Sequence, residues 1–284
     1  MQRLSKRLQA AADFVSMGSR AADIGTDHGF LPIYLIQSGK CPQVIAMDIR
    51  KGPLERAREH IAAAGLGDLI ETRLSDGMQA LEQKEADSAV ITGMGGLTVL
   101  HILKEAGEIV PDLKELVLEP QSDIAKVRRY LREHKMVIDQ EELVQEAGKF
   151  YPVLHVAIAK TDVQRLAGYE EWNNRHPIYE DLCNQLEDEE RVQGVLDQYG
   201  ACVIYGKHPL LYQMLERDEK RELGILQALG RRMHTAGGNQ ERADAAGMRR
   251  QEVERRLEEI RALLHILRYE EEPKLRRDKN MEGY

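Results

Sequence analysis

Cysteine, aromatic residues and long apolar runs are scarce in this sequence and there is no excess of positive charge, and each lack excludes something. The three cysteines, Cys41, Cys183 and Cys202, are odd in number and form no C-x-x-C pair. Neither a disulfide framework nor a zinc site is therefore expected, and no other metal ligand set is evident. Aromatics are only 5 % of the residues, which suits a helix-rich α/β protein better than an all-β one. No window approaches ~18 consecutive apolar residues, so no membrane span is expected. The first residues, Met1 to Arg7, lead into an amphipathic run rather than a signal-peptide core. Reduced thiols and a cytoplasmic location are the expectation. The net charge of −8 argues against a surface that binds polyanions everywhere. Any nucleic-acid contact must come from a local basic patch.

What is present is a series of short apolar runs, each ending in glycine or an acid. Ala21-Ala22-Asp23-Ile24-Gly25-Thr26-Asp27-His28-Gly29 reads as a buried strand, a glycine turn and the start of a helix. Similar strands follow at 44–48, 69–74, 88–92 and 115–118, with helices at about 31–38, 53–64, 97–106 and 123–134. A short helix is expected at 78–83, and two further strands at 136–144 and 151–159. Before the first strand, Ser5 caps a helix with Leu4, Leu8, Ala11, Ala12 and Val15 on one face. Alternating strands and helices predict a parallel, doubly wound α/β sheet of Rossmann-like type. Right-handed crossovers bring the carboxyl ends of the strands to one edge, where ligands bind. Five motifs fall at that edge: Asp23–Gly29, Asp48 with Ile49, Asp76-Gly77, Thr92–Gly96 and Glu119–Gln121.

After Lys160 the composition turns charged and helical. A long helix is expected from Pro209, with Met214, Leu215, Leu226, Leu229 and Met233 as its apolar stripe. Ala236-Gly237-Gly238-Asn239 is a turn signal. Beyond it Val253, Leu257, Ile260, Leu264 and Leu267 have heptad spacing. The expectation is a catalytic domain over 1–160 and a helical domain over 161–284, containing an antiparallel coiled-coil hairpin and ending in a frayed stretch from Glu270.

The chemistry of the edge narrows the ligand. Asp27 occupies the position where a dinucleotide fingerprint lets backbone approach pyrophosphate. A carboxylate there would repel a pyrophosphate but accept a cationic cofactor without phosphate. S-adenosyl-L-methionine (SAM) is one. Asp48 could accept hydrogen bonds from ribose hydroxyls. Ile49 follows it. Asp76 and Gly77 could lie near the adenine amino group, and Asp23 could hold an ammonium. Gly25 and Gly29 permit close backbone approach. Thr92-Gly93-Met94-Gly95-Gly96 strips side chains from a strand end and makes room for a planar group. Asp27 and His28 are expected to face the same cleft. Arg3, Lys6 and Arg7 on the first helix, and Lys126, Arg128, Arg129 and Arg132 on a later one, could hold phosphates; a solvated helix face is the alternative.

Leu4-Ser5-Lys6-Arg7-Leu8, Asp23-Ile24-Gly25-Thr26-Asp27-His28-Gly29-Phe30-Leu31-Pro32 and Gly93-Met94-Gly95-Gly96, in this order, resemble the bacterial tRNA (adenine(22)-N1)-methyltransferase family, the TrmK type. The resemblance covers about residues 2–160 and, more loosely, the helical remainder. It implies a class I SAM-dependent methyltransferase sheet followed by a coiled-coil domain, acting on N1 of an adenine in the tRNA D-loop region. It further implies that Asp23, Gly25, Asp27, His28, Asp48, Ile49, Asp76, Gly77, Thr92 and Gly93 frame the cofactor, and that Asp27, Gly93, Met94 and Gly95 form the catalytic pocket. A monomer is expected rather than an obligate oligomer. Two departures stand out: Glu119-Pro120-Gln121 replaces the family's Gln-Pro-Asn, and about 161–198 resembles an insertion. The alternatives are a methyltransferase for another RNA or a small molecule, and a non-catalytic SAM-binding module. An NAD oxidoreductase is disfavoured by Asp27 and a missing fingerprint glycine.

Overall fold

The computed structural model of the chain describes residues 1–158, 173, 175–235 and 240–279. It divides into two units, Met1–Trp172 and Asn173–Tyr284. The expected boundary at 160/161, the turn at 236–239 and the last five residues lie outside the described residues.

The first unit is built on one seven-stranded sheet. In chain order its elements are α1 (Lys6–Phe14), β1 (Ala21–Ile24), α2 (Phe30–Gln37), β2 (Val44–Asp48), α3 (Lys51–Ala63), β3 (Ile70–Leu74), β4 (Ser88–Met94), α4 (Gly96–Glu105), α5 (Ile109–Asp112), β5 (Glu115–Pro120), α6 (Ile124–Glu133), β6 (Val137–Glu146) and β7 (Lys149–Ala157). The order across the sheet is β3-β2-β1-β4-β5-β7-β6. β1, β2 and β5 are buried along their whole length, as apolar runs covered on both faces require. Ala22, Ile24, Met47, Ile91 and Leu118 share one core with Val99, Ile102 and Leu103 of α4 and Val127 and Leu131 of α6. Ala21, Val44, Ala46, Val90 and Val117 share the other with α1, α2 and α3, through Ala11, Ala12, Leu31, Leu35, Ala57 and Ile61. Ser5 caps α1 as expected, its side chain accepting from the Leu8 N–H.

Two expectations are corrected. The sheet is mixed rather than parallel: β7 runs antiparallel to both β5 and β6. Only Ala147 and Gly148 separate β6 from β7, at φ 48° and 75°. That is a tight hairpin with both central residues at positive φ, whereas a parallel crossover needs about a dozen residues. The helix expected at 78–83 is a set of turns. Ser75 Oγ accepts from the Ala80 N–H at 3.1 Å and donates to the Gly77 carbonyl at 2.9 Å. These local side-chain bonds offer the backbone an alternative to a helix.

The second unit is helical where described: α7 (Pro177–Leu186), α8 (Glu189–Tyr199), α9 (Ala201–Tyr205), α10 (Leu211–Thr235) and α11 (Gln240–Lys279). Asp188 caps α8, accepting from the Glu190 and Arg191 N–H groups. Arg191 then ties α8 to Glu258 of α11 at 3.0 Å. The heptad stripe of Val253, Leu257, Ile260, Leu264 and Leu267 is buried, as are Met214 and Leu215, and α10 packs against α11. The stretch expected to fray from Glu270 is helical through Lys279.

A charge cluster spans the amino-terminal ends of β4 and β5, opposite the edge that carries the motifs. Glu115 accepts from the Ser16 N–H and hydroxyl and from Ser88 Oγ, and lies 3.0 Å from His155 Nε2. His155 Nδ1 is 2.5 Å from Asp139. Burial alone would depress the His155 pKa, but its two carboxylate partners lift it to about 9. Burial likewise opposes ionisation of Glu115, yet His155, Ser16 and Ser88 hold it down at about 2. The folded pKa of His155 is raised, so its contribution to stability is complete below the unfolded value of about 6.5 and is lost as pH rises through 9. His155→Leu is accordingly expected to lower the unfolding free energy by roughly 3 kcal/mol at pH 6. The difference from wild type should narrow at pH 10 in urea titrations.

Candidate active site

The parallel register brings five strand ends to one edge. Ile24 pairs with Met47 on one side and Ile91 on the other, Asp48 pairs with Leu74, and Met94 with Pro120. The loop after β1 folds over β2, with the Gly25 and Thr26 N–H groups donating to the Met47 carbonyl at 2.8 and 2.7 Å. The Ser75 N–H donates to the Asp48 carbonyl at 3.0 Å and draws in the turn after β3.

Two buried carboxylates dominate this edge. Asp48 accepts from the Arg50 N–H at 2.7 Å, while the Ile49 side chain between them is 59 % exposed. An exposed isoleucine beside a buried acid offers a flat apolar surface next to a hydrogen-bond acceptor. Asp23 is also buried. Its pKa rises to about 7, first because burial removes water from the charge and then because Asp48 repels it. The Thr26 side chain opposes that rise, and its buried hydroxyl has no other hydrogen-bond partner among the described residues. Sequence reasoning passed over Thr26, although it stands between two residues singled out for the site.

Asp27 and His28 sit side by side on the loop after β1, the first exposed and the second half-buried. The Asp27 side chain is 61 % exposed and lies 3.4 Å from Arg56 and 3.5 Å from His28 Nε2. Arg56 thus forms a solvent-exposed ion pair with the carboxylate that was weighed against a pyrophosphate. His28, at φ 62°, stacks with Phe30 and His60 at 5.3 and 5.6 Å between ring centroids. The His28 carbonyl lies 2.8 Å from His60 Nδ1.

The glycine-rich turn meets the β1 loop through Met94. A Cβ on Gly25 would fall 2.0 Å from Met94 Cε, and Gly25 has φ 83°. The Met94 terminus can swing aside, but the positive φ at Gly25 would strain any other residue. Thr92 and Gly95 are half-buried and Gly93 is exposed. Asp76 is exposed and Gly77 half-buried, with the Ile102 side chain 3.1 Å from where a Gly77 Cβ would stand. The edge thus brings together Asp23, Gly25, Asp48, Ile49, Gly77, Thr92, Gly93, Met94 and Gly95, with Asp27, His28 and Asp76 at its rim. Among the described residues no group of three or more His, Cys, Asp and Glu side chains could hold a metal ion, and no helix is long and apolar enough to cross a membrane.

The expected basic patch is smaller than its sequence. Arg128 is 4 % exposed and bonds to Glu141 at 2.8 Å; it is a core ion pair, because it shares a helix face with Leu131. Arg7 is engaged by Glu119 and Glu146, and Lys126 by Asp123 at 2.7 Å. Arg3, Lys6, Arg129 and Arg132 are exposed.

Comparison with known proteins followed the same residues. A family profile described as a methyltransferase domain matches residues 4–154. A Bacillus subtilis protein named tRNA (adenine(22)-N(1))-methyltransferase is 35 % identical over 152 residues, 54 % of this chain and 64 % of that protein. The match thus spans just under two thirds of that relative. A putative tRNA methyltransferase of Mycoplasma pneumoniae is 34 % identical over 57 % of this chain and 76 % of its own length. The crystal structure of a putative tRNA (m1A22) methyltransferase from Streptococcus pneumoniae in complex with S-adenosyl-L-methionine superposes with a TM-score of 0.70. It is 25 % identical and covers 93 % of this chain and 100 % of its own.

The raised pKa of Asp23 makes a prediction about folding. Its contribution is complete below the unfolded value of about 3.9 and is lost as pH rises through 7. At pH 8 Asp23→Asn should therefore be more stable than wild type by an amount on the order of a few kcal/mol. Unfolding titrations at pH 5 and pH 8 check this, and the gain should shrink at pH 5.

Proposed function

The chain belongs to the methyltransferase-domain family, and from that premise we propose that it transfers the methyl group of SAM to N1 of an adenine in tRNA, at position 22 of the D-loop region. The observation that carries this reading is the edge itself: the five strand-end motifs all fall within residues 4–154, the stretch that matches the family. The relative from Bacillus subtilis supplies the base and the atom.

The residues present fit SAM. Asp48 is a buried acceptor suited to ribose hydroxyls, and Ile49 an exposed apolar surface suited to an adenine face. Asp76 and Gly77 would border the adenine amino group. Asp23 is a buried acid suited to an ammonium, and Thr26 has a hydroxyl in want of a partner. Gly25 and Gly93 keep side chains out of the path between cofactor and base. Bound there, SAM supplies a methyl group on a positively charged sulfur.

The chemistry asks little more of the protein. Adenine N1 carries a lone pair at neutral pH, so no base is needed before attack. The protein aligns nucleophile, methyl and leaving sulfur. Backbone carbonyls of the Thr92–Gly95 turn, or Asp27 from the rim, would favour the positive charge that spreads toward N6. N1 lies on the pairing edge, so the base must leave its stack to be reached. Arg3, Lys6, Lys126, Arg129 and Arg132 are exposed cations that would meet tRNA phosphates, and the paired helices α10 and α11 offer a second contact. Such a substrate is met in the cytoplasm, and we propose a monomer rather than an obligate oligomer.

Two measurements test the proposal. Labelled SAM should transfer its methyl group to unmodified tRNA, and the signal should vanish when adenine 22 is changed to guanine. Retained transfer to that variant would sink the assignment. In calorimetry, SAM affinity should fall as pH drops below about 7, by up to ~10-fold per unit, because a protonated Asp23 must lose its proton to meet the ammonium. Asp23→Asn should bind more weakly and without that slope.

A further inference from the structure

The glycine-rich turn is held in place by a carboxylate that the proposed mechanism does not use. Pairing between β4 and β5 slips between Thr92 and Met94, so that Thr92 faces Glu119 and Met94 faces Pro120. Gly93 is the extra residue of a β-bulge, at φ 75°, and has no ladder partner for its N–H. Glu119 Oε2 accepts that N–H at 2.6 Å. The Glu119 side chain is 0 % exposed. A carboxylate so placed needs a counter-ion, and Arg7 provides it from α1, with its NH1 3.4 Å away.

Arg7 is itself fixed from two sides. Its Nε bonds to Glu146 at 3.1 Å, and its guanidinium lies over the Tyr151 ring, 5.3 Å from the centroid. The groups that bear on Glu119 thus come from every neighbouring element: Arg7 from α1, the Gly93 amide from β4 and Gln121 beyond β5, with Glu146 of β6 and Tyr151 of β7 acting through Arg7. Burial raises the Glu119 pKa, and the Gly93 amide, Arg7 and Gln121 draw it back. Beyond the bulge the turn is tied by the Gln121 N–H to the Met94 carbonyl at 2.8 Å and by the Gly96 N–H to the Ser122 carbonyl at 3.0 Å and, more weakly, to the Ser122 hydroxyl at 3.3 Å.

We infer that Glu119 is a positioning residue for methyl transfer: through the Gly93 amide it sets the Gly93–Met94 backbone against the reacting base, with Arg7 as its counter-ion. This rests on the reading of the Thr92–Gly95 turn as the adenine pocket. An ionised acceptor holds an amide about twice as firmly as a neutral one, and displacing a reacting geometry by about 1 Å can lower a rate ~100-fold. The brace also explains why Arg7, expected to hold a phosphate, is turned inward.

The test is steady-state methyl transfer by the full chain to unmodified tRNA. Glu119→Leu should lower kcat by ~30-fold or more while the KM for SAM moves less than about threefold. Glu119→Gln keeps an acceptor oxygen and should retain kcat within about fivefold at pH 8. Arg7→Met removes the counter-ion, so Glu119 takes up a proton at a higher pH. Its kcat should fall on the acid side of neutrality, by at most the roughly fivefold set for a neutral acceptor, where wild type stays level. The double variant Arg7→Met with Glu119→Gln should lose that acid limb. If Glu119→Leu fails to fold, by circular dichroism and melting, the other three variants decide. Wild-type kcat in Glu119→Leu, or an acid limb surviving in the double variant, overturns the inference while leaving the function standing. A wild-type protein that binds SAM but methylates no tRNA overturns both.

Discussion

Two carboxylates that repel each other on neighbouring strand ends set the terms for this site. Asp23 and Asp48 are both buried, and the first is driven toward neutrality by its loss of water and by the second. The Thr26 side chain relieves that conflict only in part. A cation at this place would relieve it. Binding energy and folding energy are therefore opposed at one residue, as expected where local rules are broken at a functional site. The surrounding architecture keeps the conflict in place: β1 is paired on both sides and buried at every position, so Asp23 cannot turn away toward solvent.

The far end of the same sheet solves a similar problem differently. Glu115 is as buried as Asp23, but two hydroxyls, a backbone amide and a charged histidine satisfy it. One carboxylate is held well below its ordinary pKa and the other well above it. The contrast separates an acid that serves the fold from an acid reserved for a partner.

Much of this was legible in the sequence. The five parallel strands announce themselves as apolar runs ending in glycine or an acid, and the edge motifs follow from the topology those runs imply. The direction of the last two strands was not read, because apolar alternation marks a strand without saying which way it runs. Only the two-residue Ala147–Gly148 connection carried that information. Charge pairing was hidden for a different reason. Arg7 and Arg128 read as surface cations because their partners, Glu119, Glu146 and Glu141, are brought to them by the fold. Asp27 likewise has a partner that spacing hides, Arg56, 29 residues on. Glu119 stood in view as a departure from the family pattern, but the amide it serves becomes visible only once the strands slip.

That slip has a consequence of its own. On either side of a bulge, side chains keep their proper faces only if one residue is left over. Met94 crosses Gly25 because Gly93 is that residue. The turn after β4 is therefore governed by how many residues it has as much as by which ones. Exchanges of side chain around it can be absorbed one at a time, whereas the loss or gain of a single residue would reverse every side chain up to the start of α4. In this segment a change of length is costlier than most changes of residue.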